Sequence, residues 1–265
     1  MLNGEPIDDE GRKRVGTVLD LIRERSGIDS GARIESENNF ASNVGLGASA
    51  SGFAALAQGA TTASGLELSR EELSVLARRG SGSAARSIVG GFSHLRVRTG
   101  DERVTAEPIS DSFDEEIRIV VGLIPEYKRT SRAHATTPES PMFDGRLSHV
   151  SSVRQSLRKA IQKGDFTRTF GLAEQDSLHL LAVTMTGDEG WVYWRPETLR
   201  LLQLARGLRE EGLQVYFSVD TGATVYLNTT AEHVDRVVEE VQSLGLRSRV
   251  WRVGGRTKLV DDHLF

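Results

Sequence analysis

The chain has 265 residues, of which 38% are hydrophobic, so it is long enough for two small domains or one large unit of helices and strands. Lysine and arginine number 33 against 37 aspartate and glutamate, a net charge of −4 spread along the chain, so no nucleic-acid partner is expected. Because there is no cysteine, disulfides, thiolate catalysis and zinc–thiolate sites are excluded.

The sequence contains no targeting or membrane signal. Residues Met1–Pro6 lack a charged-then-apolar leader, and no run approaches the ~20 apolar residues that a membrane helix requires. We therefore expect no membrane partner and predict a cytoplasmic location.

The N-terminal third alternates helical and extended patterns. Apolar residues recur at helical spacing from Asp8 to Arg25, and Gly27 is a suitable C-terminal cap, which predicts a helix. Alternation in Ala32–Glu37 predicts a strand, followed by a loop and an alanine-rich helix from Gly52 to about Ala63. The predicted order is therefore helix, strand, glycine-rich loop, helix.

The next segment begins with a capping signal. Ser69 is followed three residues later by glutamate, the capping-box pattern, so a helix is predicted to about Arg79. Alternation in Phe92–Arg98 predicts a strand, whereas residues 99–116 show little periodicity and predict irregular structure. The apolar run Ile117–Ile124 is typical of a buried strand.

A domain junction is predicted near Asp114, which gives domains 1–113 and 114–265. Helices and strands interleave along the chain without a repeat, which favours an α/β or α+β class. The predicted elements are a helix over Leu147–Ile161 that ends at Gly164, a helix from Asp165, a helix from Pro196 to Gly212, strands Val215–Val219 and Ala223–Asn228, a helix capped by Thr229–Glu232, and a strand at Val250–Val253.

The segment Asn43–Gly52 is the first candidate site. Closely spaced glycines allow backbone N–H groups to approach an anion, the following helix adds positive potential, and Ser49 and Ser51 offer hydroxyl donors. The pattern is neither a Walker loop nor Gly-x-Gly-x-x-Gly. A tight turn that permits close helix packing explains these residues equally well.

The segment Arg78–Arg86 is the second candidate, because two serines and flexible backbone are flanked by guanidinium groups suited to phosphate or carboxylate. A helix C-terminus with arginines near its dipole accounts for Arg78 and Arg79, but it leaves Arg86 unexplained. The third candidate is Asp220, which follows a predicted strand; on this segment alone a turn-capping role is favoured.

Other catalytic patterns are absent from the sequence. The six histidines form no His-Glu-x-x-His pattern, so a metal site built by protein ligands is not expected. No Gly-x-Ser-x-Gly elbow occurs, which leaves a serine-hydrolase function without support.

Three segments together, Asn39–Leu56, Ala77–Ser87 and Phe217–Ala223, resemble the diphosphomevalonate decarboxylase family of the GHMP kinase superfamily. The resemblance spans the chain and is nearest to the archaeal branch that acts on mevalonate 5-phosphate, judged from Asn43–Gly47 and Gly190–Trp194. It implies a two-domain fold, with an N-terminal half like ribosomal protein S5 domain 2, a ferredoxin-like C-terminal half and an active site in the cleft between them. It also implies Mg²⁺ and ATP, a phosphorylated mevalonate as substrate, and a homodimer.

The same resemblance assigns roles to individual residues. Gly45, Gly47, Ser49 and Ser51 would hold ATP phosphates. Ser81, Gly82 and Ser83 would contact the phosphate end of the substrate, and Arg86 its carboxylate and hydroxyl region. Asp220 would be the base near the C3 hydroxyl, and Ser131 and Arg132 would contact nucleotide or substrate phosphate.

Two departures from the family pattern accompany this resemblance. Ala48 stands where the family usually has the first of two serines, so one hydroxyl contact to ATP or Mg²⁺ is not expected. The family's first strands, with their Lys-Tyr-x-Gly-Lys-like contacts, have no counterpart before Leu2–Glu5, so we expect this form to be less stable and less active than an extended one.

Two other functions fit parts of the pattern. A small-molecule kinase of the same superfamily shares the serine-glycine ATP loop, but such kinases usually carry a third glycine-rich motif where this chain has Asp220–Thr224. A non-catalytic ATP-binding protein is the other alternative, and it would bind Mg-ATP without turnover.

Overall fold

The computed structural model describes residues 1–40, 46–97, 104–111, 113–124, 137–220, 222–262 and 264. Contacts divide the chain into two units, the first within Met1–Ser42, Leu46–Ser110 and Gly254–Phe265, the second within Asp111–Val253. The predicted domain boundary near Asp114 stays a prediction. Among the described residues, no helix is long and apolar enough to cross a membrane.

Helices and an antiparallel strand pair build the first unit. The elements are α1 (Asp9–Ser26), α2 (Ala48–Ala63), α3 (Arg70–Gly80), α4 (Ala84–Val89), β1 (Phe92–Val97) and β2 (Val104–Ser110). Apolar residues of the four helices, including Val18, Phe53, Leu76 and Ile88, form its core. Burying such side chains contributes about 1.5–3 kcal/mol each relative to leaving them exposed.

A mixed layer of helices and sheet forms the second unit. Its elements are β3 (Ile117–Gly122), α5 (Phe143–Gln162), α6 (Phe166–Met185), α7 (Pro196–Glu210), β4 (Val215–Val219), β5 (Val225–Thr230), α8 (Val234–Ser243) and β6 (Ser248–Trp251). The four-stranded sheet has the order β4-β5-β3-β6, and all its pairings are antiparallel. The sequence allowed either an α/β or an α+β class. Because every pairing in this sheet is antiparallel, the second unit is of the α+β class.

Capping residues hold several helix ends, and Gly27 and Ser69 among them were predicted from the sequence. The Asp8 carboxylate accepts a hydrogen bond from the N–H of Gly11 at 2.7 Å, and Gly27 ends α1 in the left-handed region with φ 71°. Ser69 and Glu72 form the predicted capping box of α3. Asp165 likewise accepts from the N–H of Arg168, which begins α6. Such caps contribute about 1 kcal/mol each.

The strand predicted at Ala32–Glu37 is wrong. Only Ser36 makes an isolated bridge, to Leu2, and no described strand extends that pairing. Alternation alone does not make a strand, because the backbone N–H and C=O groups also need a neighbouring strand. The converse error concerns β2, which lies where irregular structure was predicted; its buried residues Thr105 and Ala106 are consecutive rather than alternating.

Two predicted helix starts differ from the structure. Helix α2 begins at Ala48 rather than Gly52, because Gly47 adopts the left-handed conformation (φ 71°) that turns the chain into the helix. Thr229 and Thr230 do not cap a helix; they pair with Arg118 and Ile117 in the sheet. Threonine is β-branched and favours strands, so the helix starts later, at Val234.

Candidate functional site

The first turn of α2 presents backbone N–H groups. Gly47 precedes it, no side chain caps it, and the turn contains no acidic residue. The first N–H groups of a helix have no intrahelical acceptor and carry partial positive charge. This helix start is therefore chemically suited to an anion such as a nucleotide phosphate.

Ser49 and Ser51, both exposed, differ in how their hydroxyls are used. Ser51 Oγ donates to the backbone carbonyl of Ala48 at 3.1 Å, so its proton is engaged within the helix. Ser49 Oγ instead accepts a hydrogen bond from Arg14 Nη2 at 2.8 Å. Of the two predicted hydroxyl donors, Ser49 is therefore the better prepared to donate to an anion.

The loop between α3 and α4 carries the second set of predicted residues. The hydroxyl oxygens of Ser81 and Ser83 lie 3.5 Å apart. A β-carbon built on Gly82 would meet nothing within 4 Å, so the backbone there is open to a ligand. Arg86 is exposed, and within the described residues its guanidinium makes no hydrogen bond or ion pair, so it can bind an anion.

These two segments are joined by packing in the first unit. A β-carbon built on Gly80 would lie 1.9 Å from Phe53 Cδ1, so the end of α3 is in direct contact with an α2 aromatic ring. Arg14 on α1 contacts both sides, because its Nε donates to the Gly80 carbonyl at 2.8 Å while Nη2 reaches Ser49. The structure thus brings the start of α2 and the serine loop together.

Arg14 was not among the residues predicted from the sequence. The sequence did contain an indication of its role. A spacing of four residues places Arg14 on the same face of α1 as Val18 and Ile22, which are both buried. A charged residue in line with a buried stripe requires a partner. The sequence could not supply the partners, since Ser49 and Gly80 lie far along the chain.

Asp220 lies directly after β4 in the second unit and is exposed. Its carboxylate makes no side-chain hydrogen bond among the described residues 137–220 and 222–262. Opposite the end of β4, Tyr226 pairs with Ser218. Burial, and secondarily the charge of Asp220, raise the pKa of Tyr226 above its usual value, so its phenol stays protonated.

The last residues of β4 are held by side chains of α6. The Glu174 carboxylate accepts from the N–H of Phe217 at 3.0 Å and from both terminal nitrogens of Arg209. Ser177 Oγ accepts from the N–H of Val219 at 3.1 Å. An edge strand would otherwise leave such N–H groups unpaired. The backbone immediately before Asp220 is therefore fixed from both sides, by β5 and by α6.

The predicted site residues fall into three groups. The first unit contains Gly47, Ser49, Ser51, Ser81, Gly82, Ser83 and Arg86. The second unit contains Asp220. Gly45, Ser131 and Arg132 lie outside the described residues. Among the residues that are described, no cluster of three or more His, Cys, Asp or Glu suited to a metal ion occurs.

Comparison with known proteins gives a consistent result. Residues 1–106 match the model of the diphosphomevalonate decarboxylase-like N-terminal domain. The phosphomevalonate decarboxylase of Haloferax volcanii is 47% identical over 263 residues, which cover 99% of this chain and 81% of that protein. The diphosphomevalonate decarboxylase of Ganoderma lucidum is 29% identical, and only 55% of its length is covered.

A solved structure supports the fold. The crystal structure of mevalonate diphosphate decarboxylase from Staphylococcus aureus superposes with a TM-score of 0.90 at 28% identity, covering 96% of this chain and 79% of that one. The complex of MDDEF with MVAPP, AMPPCP and magnesium superposes with a TM-score of 0.87 at 31% identity, covering 97% and 80%. Together with the identity to the Haloferax protein, these matches show that the chain belongs to the family of phosphomevalonate and diphosphomevalonate decarboxylases, with its GHMP-type fold.

Proposed function

We propose that this chain is an ATP-dependent decarboxylase of the mevalonate pathway. Its substrate is mevalonate 5-phosphate or 5-diphosphate, and its products are isopentenyl phosphate or diphosphate, CO2, ADP and phosphate. The observation that carries the proposal is that, in the first unit, Arg14 joins the uncapped start of α2, at Ser49, to Gly80, the residue directly before the serine loop. Two adjacent anion-binding segments suit a reaction between a nucleotide and a phosphorylated acid.

The start of α2 binds the ATP phosphates in this proposal. Gly47 allows close approach of the backbone, Ser49 donates its hydroxyl proton, and Gly45 and Ser51 complete the loop. The absence of acidic residues in this turn fits a polyanion. Mg²⁺ is usually held by substrate phosphates with one or two protein oxygens, which fits a chain that needs no dedicated cage of ligands.

The loop between α3 and α4 binds the acid substrate. Ser81, Gly82 and Ser83 contact its phosphate end, and the exposed fork of Arg86 binds its carboxylate. Ser131 and Arg132 are proposed as further phosphate contacts. A carboxylate held by Arg86 is oriented before it fragments, which reduces the entropy lost on reaching the transition state.

Asp220 accepts the proton of the C3 hydroxyl. The alcohol oxygen then forms a bond to the γ-phosphorus of ATP and ADP leaves, which converts hydroxide, a poor leaving group, into phosphate. When the C3–O bond breaks, the electrons of the carboxylate-bearing C–C bond form the new double bond and CO2 departs. The donors around the departing phosphate stabilise its charge as it develops.

The remaining expectations from the sequence stay proposals. They are the domains 1–113 and 114–265, a homodimer and a cytoplasmic location. The similarity to the Haloferax protein favours the monophosphate as the preferred substrate.

The test is to measure CO2 and ADP release with mevalonate 5-phosphate and its 5-diphosphate side by side, with unphosphorylated mevalonate as the control. Equal amounts of CO2 and ADP with a phosphorylated substrate are expected. Release of ADP without CO2 would identify a kinase, and binding of Mg-ATP without turnover would identify a non-catalytic binding protein. Either result would contradict the proposal.

A further inference from the structure

Arg14 lies where three helices of the first unit meet. From α1, its Nε donates to the Gly80 carbonyl at 2.8 Å and its Nη2 donates to Ser49 Oγ at 2.8 Å. Its guanidinium also lies over the ring of Phe53, with 4.7 Å between the guanidinium carbon and the ring centroid. One half-buried side chain therefore contacts the end of α3, the first turn of α2 and the aromatic ring between them.

The hydrogen bond to Ser49 determines what that hydroxyl can do. A serine hydroxyl has one proton to donate and two lone pairs that accept. Because Arg14 has no acceptor atom, Ser49 Oγ must be the acceptor, and its own proton is left for another partner. A charged donor also polarises the O–H group and makes it a stronger donor to an anion. Ser51, which donates to Ala48, has no such arrangement.

The second hydrogen bond fixes the neighbouring loop. The Gly80 carbonyl ends α3, and Ser81 follows it directly. The planar guanidinium presents its donors in a rigid fork, so the two bonds set the distance between Ser49 and the backbone at Gly80. A lysine ammonium, as a single point on a flexible stem, cannot reproduce both directions.

We propose that Arg14 is a positioning residue for the nucleotide: it holds the Ser49 hydroxyl as a donor to an ATP phosphate and keeps the serine loop at a fixed spacing from it. This inference rests on the proposed function, because it assumes that the start of α2 binds ATP. A purely structural role for Arg14 predicts something different, namely lower stability with unchanged nucleotide affinity in the protein that remains folded.

The experiment compares Arg14→Met and Arg14→Lys with the control Arg12→Gln, an arginine of the same helix whose Nε donates only to the carbonyl of Ile7 among the described residues. Thermal melts establish the folded fraction. The kinetics of CO2 release, with mevalonate 5-phosphate held saturating, then give kcat and the KM for Mg-ATP. Loss of a hydrogen bond to a charged group predicts a KM for ATP raised about 10- to 100-fold in Arg14→Met. Arg14→Lys should raise the KM for ATP by a smaller factor than Arg14→Met, and Arg12→Gln should have the KM of the wild type.

A double-mutant cycle with Ser49→Ala makes the test specific. If Arg14 acts through Ser49, the KM of the double variant exceeds that of the wild type by much less than the product of the two single effects. Additive effects, or a normal KM in folded Arg14→Met, would overturn the inference about Arg14 while leaving the decarboxylase function intact. If the wild type neither binds Mg-ATP nor releases CO2, the proposed function fails and the role of Arg14 fails with it.

Discussion

Asp220 is the residue whose chemistry is easiest to separate from its structural role. It is exposed at the end of β4, and the strand before it is anchored by Ser177 independently of its own side chain. Replacing the carboxylate by an amide of the same size should therefore leave the fold unchanged.

We predict that Asp220→Asn lowers kcat about 10²–10⁴-fold, the usual contribution of a positioned acid or base. The amide cannot accept the proton of the C3 hydroxyl. The KM for Mg-ATP should change little, because Asp220 is not proposed to contact the nucleotide. Asp188→Asn, at an exposed turn of the same unit, is the matched control. Near-normal turnover by Asp220→Asn would make this residue a turn residue only.

The stacked pair His149 and His179 provides a test that does not involve the active site. Their ring centroids lie 3.7 Å apart with an angle of 11° between the planes. Burial, followed by the charge of His179, lowers the pKa of His149 below its usual value, whereas Asp176 opposes the shift and Arg146 adds to it. Protonating His149 in the folded protein is therefore unfavourable.

We predict that the free energy of unfolding falls as the pH is lowered from about 7.5 to 5, through the usual histidine pKa of about 6.5. The sign follows because the unfolded state binds the proton more readily than the folded state, so acid favours unfolding. In His149→Gln this part of the pH dependence should be absent. Urea unfolding of both proteins at several pH values measures it; parallel pH curves would contradict the assignment.

At the scale of elements, the contact between Phe53 and Gly80 determines how α2 meets α3. A β-carbon at residue 80 would overlap the Phe53 ring, at 1.9 Å from Cδ1, so either the ring or the end of α3 would have to move. The glycine is therefore required by helix packing rather than by an unusual backbone angle.

We predict that Gly80→Ala lowers the free energy of unfolding by about 1–3 kcal/mol, the usual effect of overpacking a core. Gly59→Ala is the matched control, because Gly59 is inside α2 and a β-carbon there meets nothing within 4 Å. The control should be neutral or stabilising by up to about 1 kcal/mol, since alanine is the better helix former. Urea unfolding compares them, and equal stability of the two variants would refute the packing argument.

Some ends of helices could be predicted from the sequence, whereas the pairing of strands could not. Helices α1 and α3 were predicted with nearly correct ends because their signals are local: apolar spacing and Gly27 for α1, and the Ser69 capping box for α3. The strand expected at Ala32–Glu37 was wrong because pairing depends on a distant segment. For the same reason the function of Glu174, which holds the edge of β4, was invisible in the sequence.

The resemblance singled out the two candidate segments, but their proximity in space came from the structure. The serine loop and the start of α2 are separated by about thirty residues, and Arg14 and Phe53 are among the side chains that connect them. Contacts in which one side chain links two helices leave no periodic pattern in the sequence. They can be identified only when the packing of those helices is known.

At the scale of the whole molecule, each unit has its own hydrophobic core. The core of the first unit includes Val18 and Leu76, and that of the second includes Leu201 and Phe217. A ligand stabilises the structure to which it binds, by about 2.7 kcal/mol at a concentration of 100 times its Kd. Amide exchange measured along the chain can therefore locate the nucleotide.

We predict that a non-hydrolysable ATP analogue with Mg²⁺, added with mevalonate 5-phosphate already present in both samples, slows amide exchange in α2 and in the loop before α4. In amides that exchange by opening of this region, the slowing should approach about 100-fold at saturation. The control is Gly47→Val, because a β-branched residue is strained at the φ of 71° found there. That variant should fold and yet lose the nucleotide-dependent protection. If instead the protection appears only in the sheet of the second unit, or persists unchanged in Gly47→Val, then the start of α2 does not bind the ATP phosphates and the nucleotide site must lie elsewhere on the chain.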